Sequence, residues 1–284
     1  MRVVRPPGER LNVNVNETDW QDCRRRLKRP SSGRPLGKGG AIVSTSSVNV
    51  SRVRVKCRIL VDFDGTIAAV DTTDALLERF AAPAWRDIEE EWKAGRIGSR
   101  ECMVRQIDLM RASRDEMDEF VAGIDIDPGF PGFVHLCSRL GHGVSVLSDG
   151  LDRTIDAVLR RHDLNLPFYA NHLEWRGNDR WRLTFPNARS DCRALSGNCK
   201  CYFTAAGPRE LSIVVGDGRS DFCAAGRADL VLAKGSLVEY CRSANLPHFA
   251  FADFGEATEL LAGWLEGQHH GAAEADGPAQ RVED

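Results

Sequence analysis

Two apolar runs decide much of what this chain can become. Ile59-Leu60-Val61 leads directly into Asp62-Phe63-Asp64-Gly65-Thr66, and Leu211-Ser212-Ile213-Val214-Val215 leads into Gly216-Asp217-Gly218-Arg219-Ser220-Asp221. A short apolar run that stops at a polar glycine loop reads as a buried parallel strand with polar groups at its carboxyl end. Val144-Ser145-Val146-Leu147 repeats the pattern and ends in Ser148-Asp149-Gly150. Ligands of an open α/β sheet bind outside the carboxyl ends of its strands. Three strand ends bearing aspartates therefore mark a candidate site.

The spacing between these strands predicts the rest of the architecture. From Thr72 to about Asp127 the pattern is helical: Leu76, Leu77 and Phe80, then Trp85, Ile88 and Trp92, then Met103, Ile107 and Met110. Ser113-Arg114-Asp115-Glu116 is a capping box ahead of Met117, Phe120 and Val121. Asp127-Pro128-Gly129 ends this stretch. Helices are predicted over 135–140, 152–162, 220–228 and 256–265, with strands at 168–170 and 230–232. A hairpin is predicted across Gly177-Asn178, between Leu173-Glu174-Trp175 and Trp181-Arg182-Leu183. Alternating strands and helices give an α/β fold, a Rossmann-like, mainly parallel sheet covered on both faces, with a small helical cap inserted after the first strand.

Charge separates the chain into regions. Before Ile59 there are 14 basic and 4 acidic residues, a balance of +10, which leaves −13 for the remainder of a chain whose net charge is −3. The expected organisation is a basic, mostly disordered leader (1–56), a catalytic domain (57–267) and a disordered acidic tail (268–284). Within the domain, 57–70 and 128–267 form the core and 71–127 the cap. The leader has no aromatic platform and no recognisable binding module, so nucleic acid is not expected as a partner. A binding protein that uses the leader on nucleic acid is the alternative from another class, and salt-sensitive binding would reveal it. No stretch approaches the length needed to span a membrane, and no secretory signal is evident, so a cytoplasmic protein, monomer or homodimer, is expected. The nine cysteines suit free thiols. Only Cys192, Cys199 and Cys201 cluster, at a spacing unusual for zinc.

The strand-end residues suggest a chemistry. Asp62, Asp64, Asp217 and Asp221 would repel one another strongly without a cation, and hard carboxylate oxygens suit Mg²⁺. Ser148 and the backbone N–H groups that follow it, at Asp149 and Gly150, suit a phosphate oxygen at a helix entry. Lys200 can add a positive charge. Taken singly, each residue has a plainer reading: Asp-Gly pairs form turns, Ser148-Asp149-Gly150 can simply start a helix, and Lys200 can be a surface lysine.

In order along the chain, Asp62-Phe63-Asp64-Gly65-Thr66, Ser148, Lys200 and Gly216-Asp217 with Asp221 resemble the four successive motifs of the haloacid dehalogenase superfamily, over about residues 57–266. The helical insert looks like the cap of the phosphoserine-phosphatase-like branch. Ala82-Pro83-Ala84-Trp85, Asn171-His172 and the stretch Cys192 to Cys201 are similar to the phosphatases of 2-hydroxy-3-keto-5-methylthiopentenyl-1-phosphate in methionine salvage. The resemblance implies a Mg²⁺-dependent phosphatase acting on a small phosphorylated metabolite, with phosphoserine as the alternative substrate. It implies that Asp62 attacks phosphorus and that Asp64 protonates the leaving oxygen and then activates water. It places Mg²⁺ among Asp62, the Asp64 backbone carbonyl, Asp217 and Asp221, and the phosphate at Thr66, Ser148, Asp149, Gly150 and Lys200. Two departures stand out: Asp149 replaces the usual glycine after Ser148, and the surroundings of Lys200 match loosely. His172, Trp85 and Trp92 are further candidates to face the substrate.

Overall fold

The computed structural model describes residues 56–274, except 193, 206, 208 and 209. The basic leader, apart from Lys56, and residues 275–284 lie outside the described residues. β1 (Lys56–Val61) lies between β2 (Gly143–Leu151) and β5 (Glu210–Gly216) and is parallel to both. β3 (Phe168–Gly177) continues the parallel array beyond β2, and β4 (Arg180–Thr184) returns antiparallel to it. On the other side follow β6 (Leu230–Ala233) and β7 (His248–Ala250), both parallel. The seven-stranded order is β4-β3-β2-β1-β5-β6-β7. Chain direction across the sheet reverses at β1, so the crevice for a ligand opens at the carboxyl ends of β1 and its neighbours.

Alternate residues of the central strands feed opposite faces. Ile59, Val61, Ile213 and Val215 are buried in the larger core, with Phe130, Phe133 and Phe254. Val214, Val231 and Ala233 face the second, with Leu237 and Cys241. The aromatic wedge sits where α5 (Phe130–Arg139) meets α10 (Phe254–Glu274). The Phe254 ring lies 4.9 Å from that of Phe130 and 5.2 Å from that of Phe133, both edge-on.

Between β1 and α5 the chain builds four helices: α1 (Thr72–Phe80), α2 (Trp85–Lys93), α3 (Ser99–Asp108) and α4 (Arg114–Ala122). Asp71 caps α1 by accepting from the Asp74 N–H, and the predicted capping box of Ser113 and Glu116 opens α4. The two crossings into this insert are pinned together. Ala68 bridges Ile126, and the Asp127 N–H donates to the Ile67 carbonyl at 2.8 Å. The β3–β4 hairpin supports the insert from the side, with Trp181 Nε1 donating to the Ala112 carbonyl at 2.9 Å.

Several boundaries differ from expectation. The segments at 168–170 and 173–175 are one strand, because polar Asn171 and His172 find partners in place of breaking it. The predicted helix at 152–162 forms as α6 (Asp152–Arg161), whereas the one at 220–228 is a 3₁₀ turn (Arg219–Asp221) followed by α8 (Phe222–Ala225). The last helix reaches Glu274, past the expected onset of a tail at 268. Three short elements had no sequence signal: α7 (Lys200–Phe203), α9 (Gly235–Ser243) and β7. Among the described residues, no helix is long and apolar enough to cross a membrane.

The aromatic wedge yields a stability prediction. Phe254→Ala should cost about 3–5 kcal/mol of unfolding free energy, the range for emptying a fully buried aromatic site. Urea denaturation followed by tryptophan fluorescence measures it, and a loss under about 1 kcal/mol would contradict the packing described.

Candidate active site

Asp62 stands one residue past β1, held by its own N–H, which donates to the Val215 carbonyl at 2.8 Å. Its Oδ1 accepts from the Phe63 N–H at 2.8 Å. The following turn buries Phe63 and Ile67 in the core and so leaves Asp62 and Asp64 facing the crevice. Gly65 makes the turn possible. It has φ +69°, and a Cβ there would lie 2.5 Å from Asp217 Oδ2.

The structure brings nearly all the predicted residues together. Asp62, Gly65, Asp64, Ser148, Asp149, Gly150 and Asp217 line one cavity of about 330 Å³. Lys200, only 4 % exposed, reaches the same point from below: its Nζ lies 2.7 Å from Asp62 Oδ1, 2.8 Å from Asp221 Oδ1 and 2.9 Å from Ser220 Oγ. Asp221 Oδ2 accepts from the N–H groups of Asp217 and Gly218, which fixes the loop carrying Asp217. Thr66 is fully buried and its hydroxyl donates to Asp217 Oδ1 at 3.3 Å. It therefore orients a carboxylate and does not itself line the cavity.

Ser148 and Asp64 face one another. Ser148 Oγ accepts from the Gly150 N–H at 2.9 Å and lies 3.4 Å from Asp64 Oδ2. Asp64 Oδ1 is held by the Thr72 N–H at 2.8 Å and by the Thr72 hydroxyl, so the first turn of the cap steadies a core residue. A Cβ on Gly150 would collide with Asp64 Oδ2, so this approach needs glycine.

Asp149 is turned aside from Asp64. Its Oδ1 accepts from the Asn198 N–H at 2.7 Å and from Asn171 Nδ2 at 3.3 Å, and its Oδ2 accepts from Ser99 Oγ at 2.7 Å. One carboxylate thus joins cap helix α3, strand β3 and the loop that leads to Lys200. His172 does not reach the cavity; its Nδ1 pairs with Asp152 Oδ2 at 2.6 Å. Trp85 is buried in the main core, whereas Trp92 lines the cavity beneath the Arg219 guanidinium, 5.5 Å from the ring centroid. Ser99, Thr73, Asp74, Glu89 and Met103 also line the cap wall, and nothing in their local sequence singled them out. Only the helical period of the insert hinted at them.

The electrostatics follow from burial. Desolvation pushes the Asp62 carboxyl well above its ordinary value; Asp221 adds to this and Lys200 opposes it. Burial and Asp71 raise Asp64 to about 7, against the hydrogen bonds from Thr72. Burial and Asp221 raise Asp217 as well. Burial also disfavours the Lys200 charge, but Asp221 and Asp62 outweigh it and hold the ammonium above its usual range. One ammonium does not balance this many carboxylates. Carboxylate oxygens of Asp62, Asp217 and Asp221 all lie within 4.8 Å of one another, an all-oxygen set that fits a hard divalent cation. The Asp64 side chain is outside that set. Such a site can hold an anion against Ser148 and the backbone, with a buried carboxylate in position to attack it.

Comparison with known proteins agrees with this geometry. Residues 59–226 match the family described as haloacid dehalogenase-like hydrolase. The chain is 32 % identical over 215 residues to the 2-hydroxy-3-keto-5-methylthiopentenyl-1-phosphate phosphatase of Brevibacillus brevis, covering 72 % of this chain and 95 % of that protein. The protein of the same name from Exiguobacterium sp. is 30 % identical over 211 residues, covering 72 % and 97 %. In three dimensions the chain is similar to a crystal structure of phosphoserine phosphatase from T. onnurineus. The TM-score is 0.55 at 15 % identity, over 75 % of this chain and 97 % of that one. The family match over residues 59–226 and these relatives make the chain a member of the haloacid dehalogenase-like hydrolases and a phosphoric monoester hydrolase.

Proposed function

We propose that the chain hydrolyses a small phosphomonoester through an aspartyl-phosphate on Asp62, with Mg²⁺ as cofactor, and that 2-hydroxy-3-keto-5-methylthiopentenyl-1-phosphate is its substrate. One observation carries the chemistry: the buried Asp62 carboxylate is steadied by Lys200 at 2.7 Å and opens onto a cavity lined by both core and cap residues. Asp62, Asp217 and Asp221 would hold the cation, and when bound it would offset the charge of the phosphate and of the attacking carboxylate. Ser148 Oγ and the backbone at Gly150 would orient the phosphate oxygens. Asp64, raised to about 7, is suited to give a proton to the leaving oxygen and later to take one from water.

The cap side of the cavity bears on the substrate. Trp92, Met103 and Cys102 form an apolar patch suited to a thioether. Thr73 Oγ1 lies in the same wall, buried without a partner, and would receive a substrate hydroxyl or keto group. These features, with the names of the sequence relatives, support the methionine-salvage substrate. Asp71, Asp74 and Glu89 in the same wall favour a second reading, phosphoserine, whose ammonium they would attract. Phosphate release from a panel containing both compounds separates the two readings.

Ser99 helps to fasten the cap to the core, beside Arg100, whose N–H and Nε both donate to the Leu195 carbonyl at 3.2 Å. The Ser99 hydroxyl donates to Asp149 across the cap–core boundary, and a hydrogen bond to a charged group is worth about 1.5–3 kcal/mol.

Three outcomes are expected. Asp62→Asn should lower phosphate release by about 10³-fold or more at unchanged fold, and near-wild-type turnover would sink the mechanism. Ser99→Ala should raise KM by about tenfold with a smaller effect on kcat, reflecting a cap that closes less often. Identical steady-state constants would remove Ser99 from cap closure. The third outcome concerns pH. Asp62, Asp64 and Asp217 have folded-state values above the unfolded value near 3.8, so the folded chain binds more protons than the unfolded one. Stability of the metal-free protein is then lost as pH rises from about 4 towards and past 7. Thermal melts should show a lower Tm at pH 8 than at pH 6 without metal, and a larger gain from added Mg²⁺ at pH 8. A gain from Mg²⁺ that does not grow with pH would contradict the assignment.

A further inference from the structure

Cys192, Cys199, Cys201 and Cys223 gather outside the cavity into a cluster separate from both hydrophobic cores. All four are free thiols, three of them buried and Cys223 half-buried. Cys199 and Cys201 place their sulfurs 3.4 Å apart. Cys192 contacts Cys199, and Cys201 contacts Cys223. Cys223 comes from α8, distant in sequence, and only the fold adds it to the three that stand close in the chain.

Two further features point to a ligand. Burial raises the Cys192 thiol, but hydrogen bonds from the backbone at Ser196 and Ala194 and from Cys199 hold it below its ordinary value. Burial pushes Cys199 up to about 12 and raises Cys201, so metal would have to displace those two protons. Arg227 stands near Cys201 and Arg189 near Cys199, so negative charge gathered on the sulfurs would be partly offset. The surrounding segment also needs a fastener. Between β4 and β5 the chain runs from 185 to 209 with α7, four residues long, as its regular element. A helix that short is not stable by itself. Yet it begins with Lys200, whose Nζ must hold its place between Asp62 and Asp221.

We propose that Cys192, Cys199, Cys201 and Cys223 form a tetrahedral thiolate site for zinc, separate from the carboxylate site, which fastens the segment carrying Lys200. A Zn–S bond of about 2.3 Å puts neighbouring sulfurs about 3.8 Å apart, close to the spacing of Cys199 and Cys201. The sulfurs run in a line of contacts from Cys192 to Cys223 and do not yet surround a common point, so binding would have to draw the two end side chains inward. Binding replaces the four S–H bonds by four S–Zn bonds and releases the protons to solvent, with no change in oxidation state. The two sites select different ions: soft thiolates take zinc, and the hard carboxylates take magnesium. Lys200 sits in sequence between two of the zinc ligands, so the ion would fix its backbone on both sides.

The test is metal content. The full chain, produced with zinc in the medium, kept reduced and washed with EDTA, should retain about one zinc per chain by mass spectrometry of the elements. Replacement by Co²⁺ should give the sulfur-to-cobalt charge-transfer band and strong visible bands of a tetrahedral thiolate site. Cys192→Ser and Cys223→Ser should each lower retained zinc by about tenfold or more. Less than about a tenth of a zinc per wild-type chain, without thiolate bands on cobalt addition, would overturn the proposal. Full zinc retention in both variants would overturn it equally. The wild-type stoichiometry and the cobalt spectrum do not depend on how the variants fold, nor on whether the carboxylate site is catalytic.

Discussion

The Lys200 ammonium between Asp62 and Asp221 is the contact on which the rest of the site depends. Three ionisable side chains, each under 6 % exposed, are brought together at the end of the central strand. Isolated charges in such a place are untenable. The two carboxylates hold the Lys200 ammonium charged, and Lys200 in turn opposes the rise that burial and Asp221 impose on Asp62. The geometry draws on three distant parts of the chain. β1 delivers Asp62, the loop after β5 delivers Asp221, and the irregular segment before β5 delivers Lys200. Removing Lys200 leaves two buried carboxylates without their cationic partner, whereas removing either carboxylate leaves Lys200 paired with the other.

That arrangement explains the architecture around it. A parallel sheet that changes direction at β1 places two strand ends side by side, so Asp62 and Asp217 face one cavity without long loops. Gly65 and Gly150 then let acidic side chains approach closely where any Cβ would obstruct them. The cap is tied into the same network by Thr72 holding Asp64 and by Ser99 holding Asp149. Asp149, a departure from the glycine expected there, is thus occupied with joining three elements and is not a free negative charge beside the phosphate position.

Much of this was legible in the sequence, for physical reasons that differ from residue to residue. Asp62, Asp64 and Asp217 follow buried apolar runs, and a strand end is a place that local pattern can find. The four cap helices each carry their own apolar period, and the first and last also have side-chain caps at Asp71 and Ser113, so their existence was also readable. Lys200 was recognisable only by its order among the other motifs, because a four-residue helix leaves no periodic trace. Trp92 was readable as a candidate and lines the cavity, whereas Ser99 and Thr73 lie at helix starts whose orientation is set by packing against the core. Asn171 and Asn198 look like ordinary loop or strand polars until the fold brings both to Asp149. Cys223 is the plainest case: 22 residues separate it from Cys201, and spacing says nothing of their contact. α9 and β7 were missed because a short edge strand and a helix with one buried stripe carry too few residues to show a pattern.

The central claim is that Asp62 is the nucleophile, and chemical trapping of its phosphorylated form tests it most directly. Borohydride added during turnover reduces an acyl phosphate to the alcohol, converting an aspartyl-phosphate into homoserine. Peptide mass spectrometry should find homoserine at position 62, only in the presence of substrate and Mg²⁺. An unmodified Asp62 in an enzyme that is turning over, or homoserine at another aspartate, would contradict the account.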